Sequence, residues 1–150
     1  MDDSSPATTA CACGRLRRAT RALTQLYDDA MAPSGLRVTQ FSLLRTLDRE
    51  GRSRITDLAG ATLIDRTALS RNLDPLLERR LVEIVPGRDA RTREVALTRA
   101  GRAAIRAALP HWRRAQAEVA AALGAERLDA LIATLAAIES LHPAPAGRHS

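Results

Sequence analysis

Residues 55–97 read ITDLAGATLIDRTALSRNLDPLLERRLVEIVPGRDARTREVAL, and their apolar spacing changes partway through. Leu58, Ala59 and Leu63 keep helical spacing, as do Leu69, Leu73, Leu76 and Leu77. After Leu77 the apolar residues alternate: Val82 and Ile84, then, beyond Pro86-Gly87, Val95 and Leu97. A change of period from about 3.6 to about 2 marks two helices followed by a hairpin. Leu63-Ile64-Asp65 supplies the turn between the helices, and Asp65 is placed to cap the second of them, Arg66 to about Arg80. A short helix pair followed by a charged hairpin is the pattern of a winged helix-turn-helix.

The charge lies in the same region. The chain of 150 residues has 23 basic residues, all arginine, against 17 acidic ones, a formal net charge of +6. Residues 1–32 and 107–150 each balance four arginines with four acids, whereas residues 33–106 hold fifteen arginines and nine acids. The whole excess therefore sits in the middle of the chain, the footprint of a polyanion partner. Genome composition can explain the missing lysine but not the placement of charge. Arginine also forks onto phosphate and guanine edges in a way that lysine cannot.

Working outward, a helix is expected from Cys11–Gly14 to about Ala32, with Leu16, Ala19, Leu23, Leu26 and Ala30 as its apolar stripe, ended by Pro33-Ser34-Gly35. A second helix, VTQFSLLRTLDRE, has Thr39 as its expected N-cap and Gly51 as its stop. A short strand edge is expected over 52–55. After the hairpin, Thr98 should cap a long helix kinked at Pro110, and Gly124 separates it from a last helix that turns Leu128, Leu131, Ile132, Leu135 and Ile138 inward. Residues 1–10 and 142–150 read as loose tails. The fold class is mainly α with a small β-hairpin wing. The winged lobe spans 33–97, and 11–32 with 98–141 form dimerisation helices. Only 2% of residues are aromatic and alanine fills many apolar positions, so a lone subunit would bury little area. A homodimer sharing its terminal helices is expected.

In such a fold the second helix of the pair enters the major groove with its N-terminal residues on base edges. Those residues are Arg66, Thr67, Ser70, Arg71 and Asn72. Small hydroxyls allow close approach of the helix, and Arg71 is long enough to reach a guanine. The hairpin loop carries Arg88, Arg91 and Arg93 around Asp89. Alternation is taken to put Arg91 and Arg93 on the outer face, where an arginine suits the narrow minor groove. Asp89 would repel phosphate, so it is read as an internal brace for Arg91. Ordinary solvated surface charge is the bland alternative for both segments.

Three segments carry a family resemblance: GLRVTQFSLLRTL (35–47), the helix pair through Glu83, and RDARTREVALTRAGR (88–102). The last holds Asp89-x-Arg91 and then Leu97-Thr98-x-x-Gly101. In this order and spacing the chain resembles the MarR family of bacterial transcription regulators, over about residues 13–141. The resemblance implies a triangular homodimer with intertwined first and last helices, binding a palindromic operator on double-stranded DNA, usually as a repressor. It implies base reading by Thr67, Ser70 and Arg71, with Arg91 in the minor groove braced by Asp89. It also implies release by a small aromatic or phenolic effector bound between the dimer helices and the DNA lobe. Tyr27, Gln40, His111 and Trp112 are candidates for that pocket by position alone, and Trp112 equally suits a core stripe.

Cys11 and Cys13 stand two apart, about 200° around a helix. A disulfide between them within a helix would be strained. Near a helix N-terminus, beside Arg15, Arg17 and Arg18, they are redox candidates. Inert packing and a soft-metal contact are the other readings, although no third soft ligand accompanies them. Catalysis would need a nucleophile–base pair or a ligand cluster. His111, His142 and His149 are scattered and no phosphate-cradling glycine loop is present, so no enzyme, metal site or cofactor is expected. The polar N-terminus is no signal peptide, no apolar run approaches a membrane span, and a cytoplasmic location is expected. The alternative function is a winged-helix protein for non-specific DNA architecture or protein–protein contacts. It would bind unrelated duplexes alike through phosphate attraction.

Overall fold

The computed structural model describes residues 11–141, so the expectations for both tails, with His142 and His149, lie outside the described residues. Helix α1 (Ala12–Met31) starts at Cys11, whose Sγ accepts from the Gly14 amide at 3.4 Å. A 3-10 turn (Ala32–Ser34) and Gly35, at φ 72°, redirect the chain into α2 (Val38–Glu50). The N-cap of α2 is Arg37 and not Thr39. Asp28 on α1 reaches across to accept from the Val38 amide at 2.8 Å, and the Gln40 carboxamide accepts from the Arg37 amide at 3.0 Å. These two acceptors satisfy the first amides of α2, so a capping hydroxyl at Thr39 is not needed.

Gly51, at φ 81°, ends α2, and β1 (Ser53–Arg54) leads into α3 (Ile55–Thr62). Helix α4 (Arg66–Glu78) follows after the turn, then β2 (Val82–Pro86) and β3 (Arg93–Leu97). The sheet runs β1-β3-β2, antiparallel throughout, with Val95 opposite both Ser53 and Ile84. Helix α5 (Arg99–Leu123) continues through Pro110 without ending there. Gly124, at φ 84°, separates it from α6 (Ala125–Glu139).

One apolar core joins Met31, Leu36, Phe41, Leu44 and Leu47 with Leu58, Leu69, Leu73 and Leu76, and extends to Val82, Val95, Ile105 and Ala108. Full burial of each such leucine contributes about 1.5–3 kcal/mol. The α4 leucines recur every three or four residues, which leaves the opposite face of that helix free. At its C-terminal end the Arg79 guanidinium donates to Gly35 O at 2.8 Å, tying α4 to the turn before α2. The Thr98 hydroxyl bonds Arg80 O at 2.8 Å and Leu81 O at 3.0 Å, and accepts from the Gly101 amide at 3.0 Å. The end of α4, the start of β2 and the start of α5 are thereby held as one joint.

The α6 expectation needs correction. None of Leu128, Leu131, Ile132, Leu135 and Ile138 is buried, and Ile132 is 53% exposed. Leu128, Leu131 and Leu135 are half-buried, and Ile132 and Ile138 are exposed. Along α1, Ala30 is buried, Leu16 and Leu26 are half-buried, and Ala19 and Leu23 are exposed.

Candidate nucleic-acid interface

Helix α4 is set by its first turn. Asp65 Oδ1 accepts from the amides of Thr67 and Ala68, both at 3.0 Å, which fixes where the helix begins. The preceding residue but one, Leu63, adopts φ 54°, a left-handed conformation that turns the chain between α3 and α4. With Leu69, Leu73 and Leu76 buried, Arg66, Thr67, Ser70 and Arg71 are exposed together on the outer side. Asn72 departs from this group. It is half-buried, its Nδ2 donates to Ala68 O at 3.1 Å, and it lines a cleft shared with α2.

The wing is shaped by Asp89, but through backbone and not through the Arg91 guanidinium. Asp89 Oδ1 accepts from the Arg91 amide at 3.1 Å. Asp89 O accepts from both the amide and the hydroxyl of Thr92 at 2.8 Å. Arg88, Arg91 and Arg93 are left exposed. Alternation does not place Arg93 on the outer face: it has the parity of buried Val95 and Leu97, and is exposed because the strand has passed the edge of the core. Among the described residues, Arg66, Arg71, Arg88, Arg91 and Arg93 enter no ion pair. Five charged forks therefore remain available on α4 and the wing.

Sequence reasoning missed one ion pair at the base of the wing. Arg52 Nε lies 3.0 Å from Glu94 Oε2, and the Glu94 side chain is only 12% exposed. The pair joins β3 to the segment before β1. The signal available was the opposite parity of Glu94 to Val95, combined with a basic residue just ahead of the predicted strand edge.

The four pocket candidates separate. Tyr27 and Trp112 come together, ring centroids 6.5 Å apart, and Phe41 joins them at 6.1 Å from Trp112. The Tyr27 hydroxyl donates to Gln116 Oε1. Burial pushes the Tyr27 pKa up from its ordinary 10.0. Gln40 is engaged at the start of α2, and His111 is half-buried on α5. None of the four lines the cleft of about 300 Å³ that lies between α2, the end of α3 and α4. Cys11 and Cys13 are both exposed free thiols. Among the described residues no three His, Cys, Asp or Glu side chains gather as a metal site, and no helix is long and apolar enough to cross a membrane.

A capped helix presenting hydroxyls and arginines beside an arginine-bearing hairpin defines a winged-helix DNA-binding protein. The family model described as MarR family matches residues 34–92. The chain is 43% identical to the M. tuberculosis transcriptional regulator MosR in complex with DNA, covering 89% of this chain and 99% of that one, with a TM-score of 0.75. It is 26% identical to a probable transcriptional regulator from Pseudomonas aeruginosa, covering 85% and 96%, with a TM-score of 0.77. The transcriptional repressor CouR, bound to a 23-mer DNA duplex, is 27% identical over 92% of this chain and 97% of that one, with a TM-score of 0.78. No curated protein sequence matches the chain. The chain belongs to the MarR family of transcriptional regulators.

Proposed function

We propose that this regulator acts as a homodimer that binds a palindromic operator and represses transcription. Helix α4 lies in the major groove, with Thr67, Ser70 and Arg71 on base edges and Arg66 on phosphate. Arg91, presented by the Asp89-braced turn, enters the minor groove, and Arg88 and Arg93 hold the flanking backbone. The observation that carries this reading is the exposed Arg66–Thr67–Ser70–Arg71 surface beside three unpaired wing arginines. The uncovered apolar residues Leu23, Leu123, Ile132, Ile138 and Leu141 on α1, α5 and the C-terminal segment support the homodimer. Release follows effector binding or oxidation of the exposed Cys11 and Cys13 thiols.

The test is a titration of the protein with its own upstream intergenic DNA and with a scrambled duplex, at two salt concentrations, with and without peroxide. Tight, salt-sensitive binding to the native duplex alone is expected. Arg71→Ala should weaken it by about 1–3 kcal/mol and relax base preference at one position in each half-site. Equal affinity for both duplexes would instead favour an architectural role. A Cys11→Ser, Cys13→Ser protein that still responds to peroxide would eliminate the thiols as the oxidation sensor.

A further inference from the structure

Helix α3 ends in a Schellman turn whose left-handed position is a leucine. The Ile64 amide donates to Ala59 O at 3.2 Å and the Leu63 amide to Gly60 O at 3.3 Å, with Leu63 at φ 54°. Glycine takes that conformation freely, whereas a side chain there crowds the following carbonyl. The apolar contact that usually closes such a turn comes from Ile64, which packs against the core. Leu63 supplies none of it. It is 53% exposed and belongs neither to the core nor to the walls of the cleft beside α4. Leucine therefore strains this turn without stabilising the subunit in return.

We propose that Leu63 is a specificity-determining residue of the operator interface, packing on the C5-methyl group of a thymine in the major groove beside the bases faced by Arg66 and Thr67. The assignment rests on the operator-binding reading above.

An exposed leucine alone carries no argument. Position gives this one a partner. Leu63 stands three residues before Arg66, and three residues of chain span at most about 11 Å, or about three base-pair steps. A duplex that meets the first turn of α4 therefore lies within reach of Leu63. The Asp65 carboxylate does not intervene, because it is turned onto the amides of Thr67 and Ala68 at 3.0 Å. Among the described residues Leu63 is also the most exposed large apolar side chain of the lobe that carries the charge excess. Chemistry then names the group. Leucine has no donor or acceptor, so it reads neither a phosphate nor a polar base edge, and the thymine methyl is the apolar feature that the major groove displays. The arginines of the lobe attract any duplex through its phosphates. Leu63 adds a choice among sequences that charge cannot make.

The test is a double-mutant cycle between the side chain and the methyl group. The protein's upstream intergenic duplex is prepared with thymidine, and again with deoxyuridine at every thymidine position, which removes only the methyls. Both are titrated with the full-length protein and with Leu63→Gly. Burying one methyl is worth about fourfold in affinity at each half-site, or about fifteenfold for a dimer. Leu63→Gly should lose about that factor on the thymidine duplex and little on the deoxyuridine duplex. Its urea midpoint should hold or rise, because glycine relieves the left-handed strain. Differences in groove shape and in other methyl contacts cancel, since both proteins meet the same two duplexes. Leu63→Asn, which also tolerates the conformation, should behave as Leu63→Gly and serves if the glycine variant misfolds, whereas Leu63→Met should retain the thymidine preference. Single deoxyuridine substitutions should place the methyl at one symmetric pair of positions. Equal losses on both duplexes, or an undiminished thymidine preference in Leu63→Gly and Leu63→Asn, overturn the thymine contact and leave the operator reading standing. Wild-type protein that binds native and scrambled thymidine duplexes alike, or neither, overturns the operator reading and the Leu63 assignment with it.

Discussion

At the scale of single residues, Asp89 poses a contest of signs. Its carboxylate sits among the exposed wing arginines, so under the proposed DNA reading deleting it removes a charge that repels phosphate. It also accepts the Arg91 amide that shapes the turn. Asp89→Ala should lower operator affinity several-fold, because a disordered turn must be refolded at each binding event and exposed charge terms are screened by salt. Tighter binding in an electrophoretic or fluorescence titration would show that repulsion prevails. Tyr27 gives a pH prediction. Burial favours its neutral phenol and holds its pKa above 10.0. The unfolded chain then releases this proton first, so the stability it contributes is complete below the unfolded value and is lost as pH rises through the folded one. Urea midpoints should hold up to the unfolded value of 10.0 and fall as the pH rises above it, and Tyr27→Phe should flatten that fall.

At the scale of elements, the joint formed by α4, β2 and α5 depends on a close approach that only glycine allows. A Cβ at Gly101 would lie 2.1 Å from Leu81 O and 2.6 Å from a Leu97 methyl. Gly101→Ala should destabilise the fold by about 1–3 kcal/mol, measured by urea unfolding, and loosen the wing because Leu97 ends β3. The Leu97-Thr98-x-x-Gly101 motif was visible in sequence, but its cause was not. Thr98 caps α5, and Gly101 lets that helix meet the backbone at the end of α4. The elements themselves were legible because the apolar period changes where the structure changes and because Asp65, Thr98 and Gly124 mark helix ends by their own chemistry. The start of α2 departs from expectation because the Val38 amide is satisfied by Asp28, ten residues away on another helix, which no local rule detects. Wing parity was misread for a related reason: alternation gives the face a residue points to, not whether the core extends that far.

At the scale of the whole molecule, the large apolar side chains left exposed gather on the terminal helices. Among the described residues, five of the seven are Leu23, Leu123, Ile132, Ile138 and Leu141. Ile132→Glu should leave one subunit folded, since Ile132 lies outside the core. It should also convert the protein to a monomer in sedimentation, with operator affinity reduced at least about tenfold by loss of the second half-site contact. A dimeric Ile132→Glu protein would move the interface off α6.

Local sequence set the order and kind of the elements, the location of the charge excess, and α4 with its outward Arg66, Thr67, Ser70 and Arg71. Those properties follow from periodicity, capping and composition, which act over a few residues. Tertiary structure alone decided that Tyr27, Phe41, Trp112 and Gln116 meet, that Gln40 serves α2 and not a pocket, that Asn72 turns into a cleft, and that Glu94 is held by Arg52. Each of these depends on which residues distant in sequence are brought within a few ångströms, and that is settled by how the helices pack around Leu44, Leu69 and Val95.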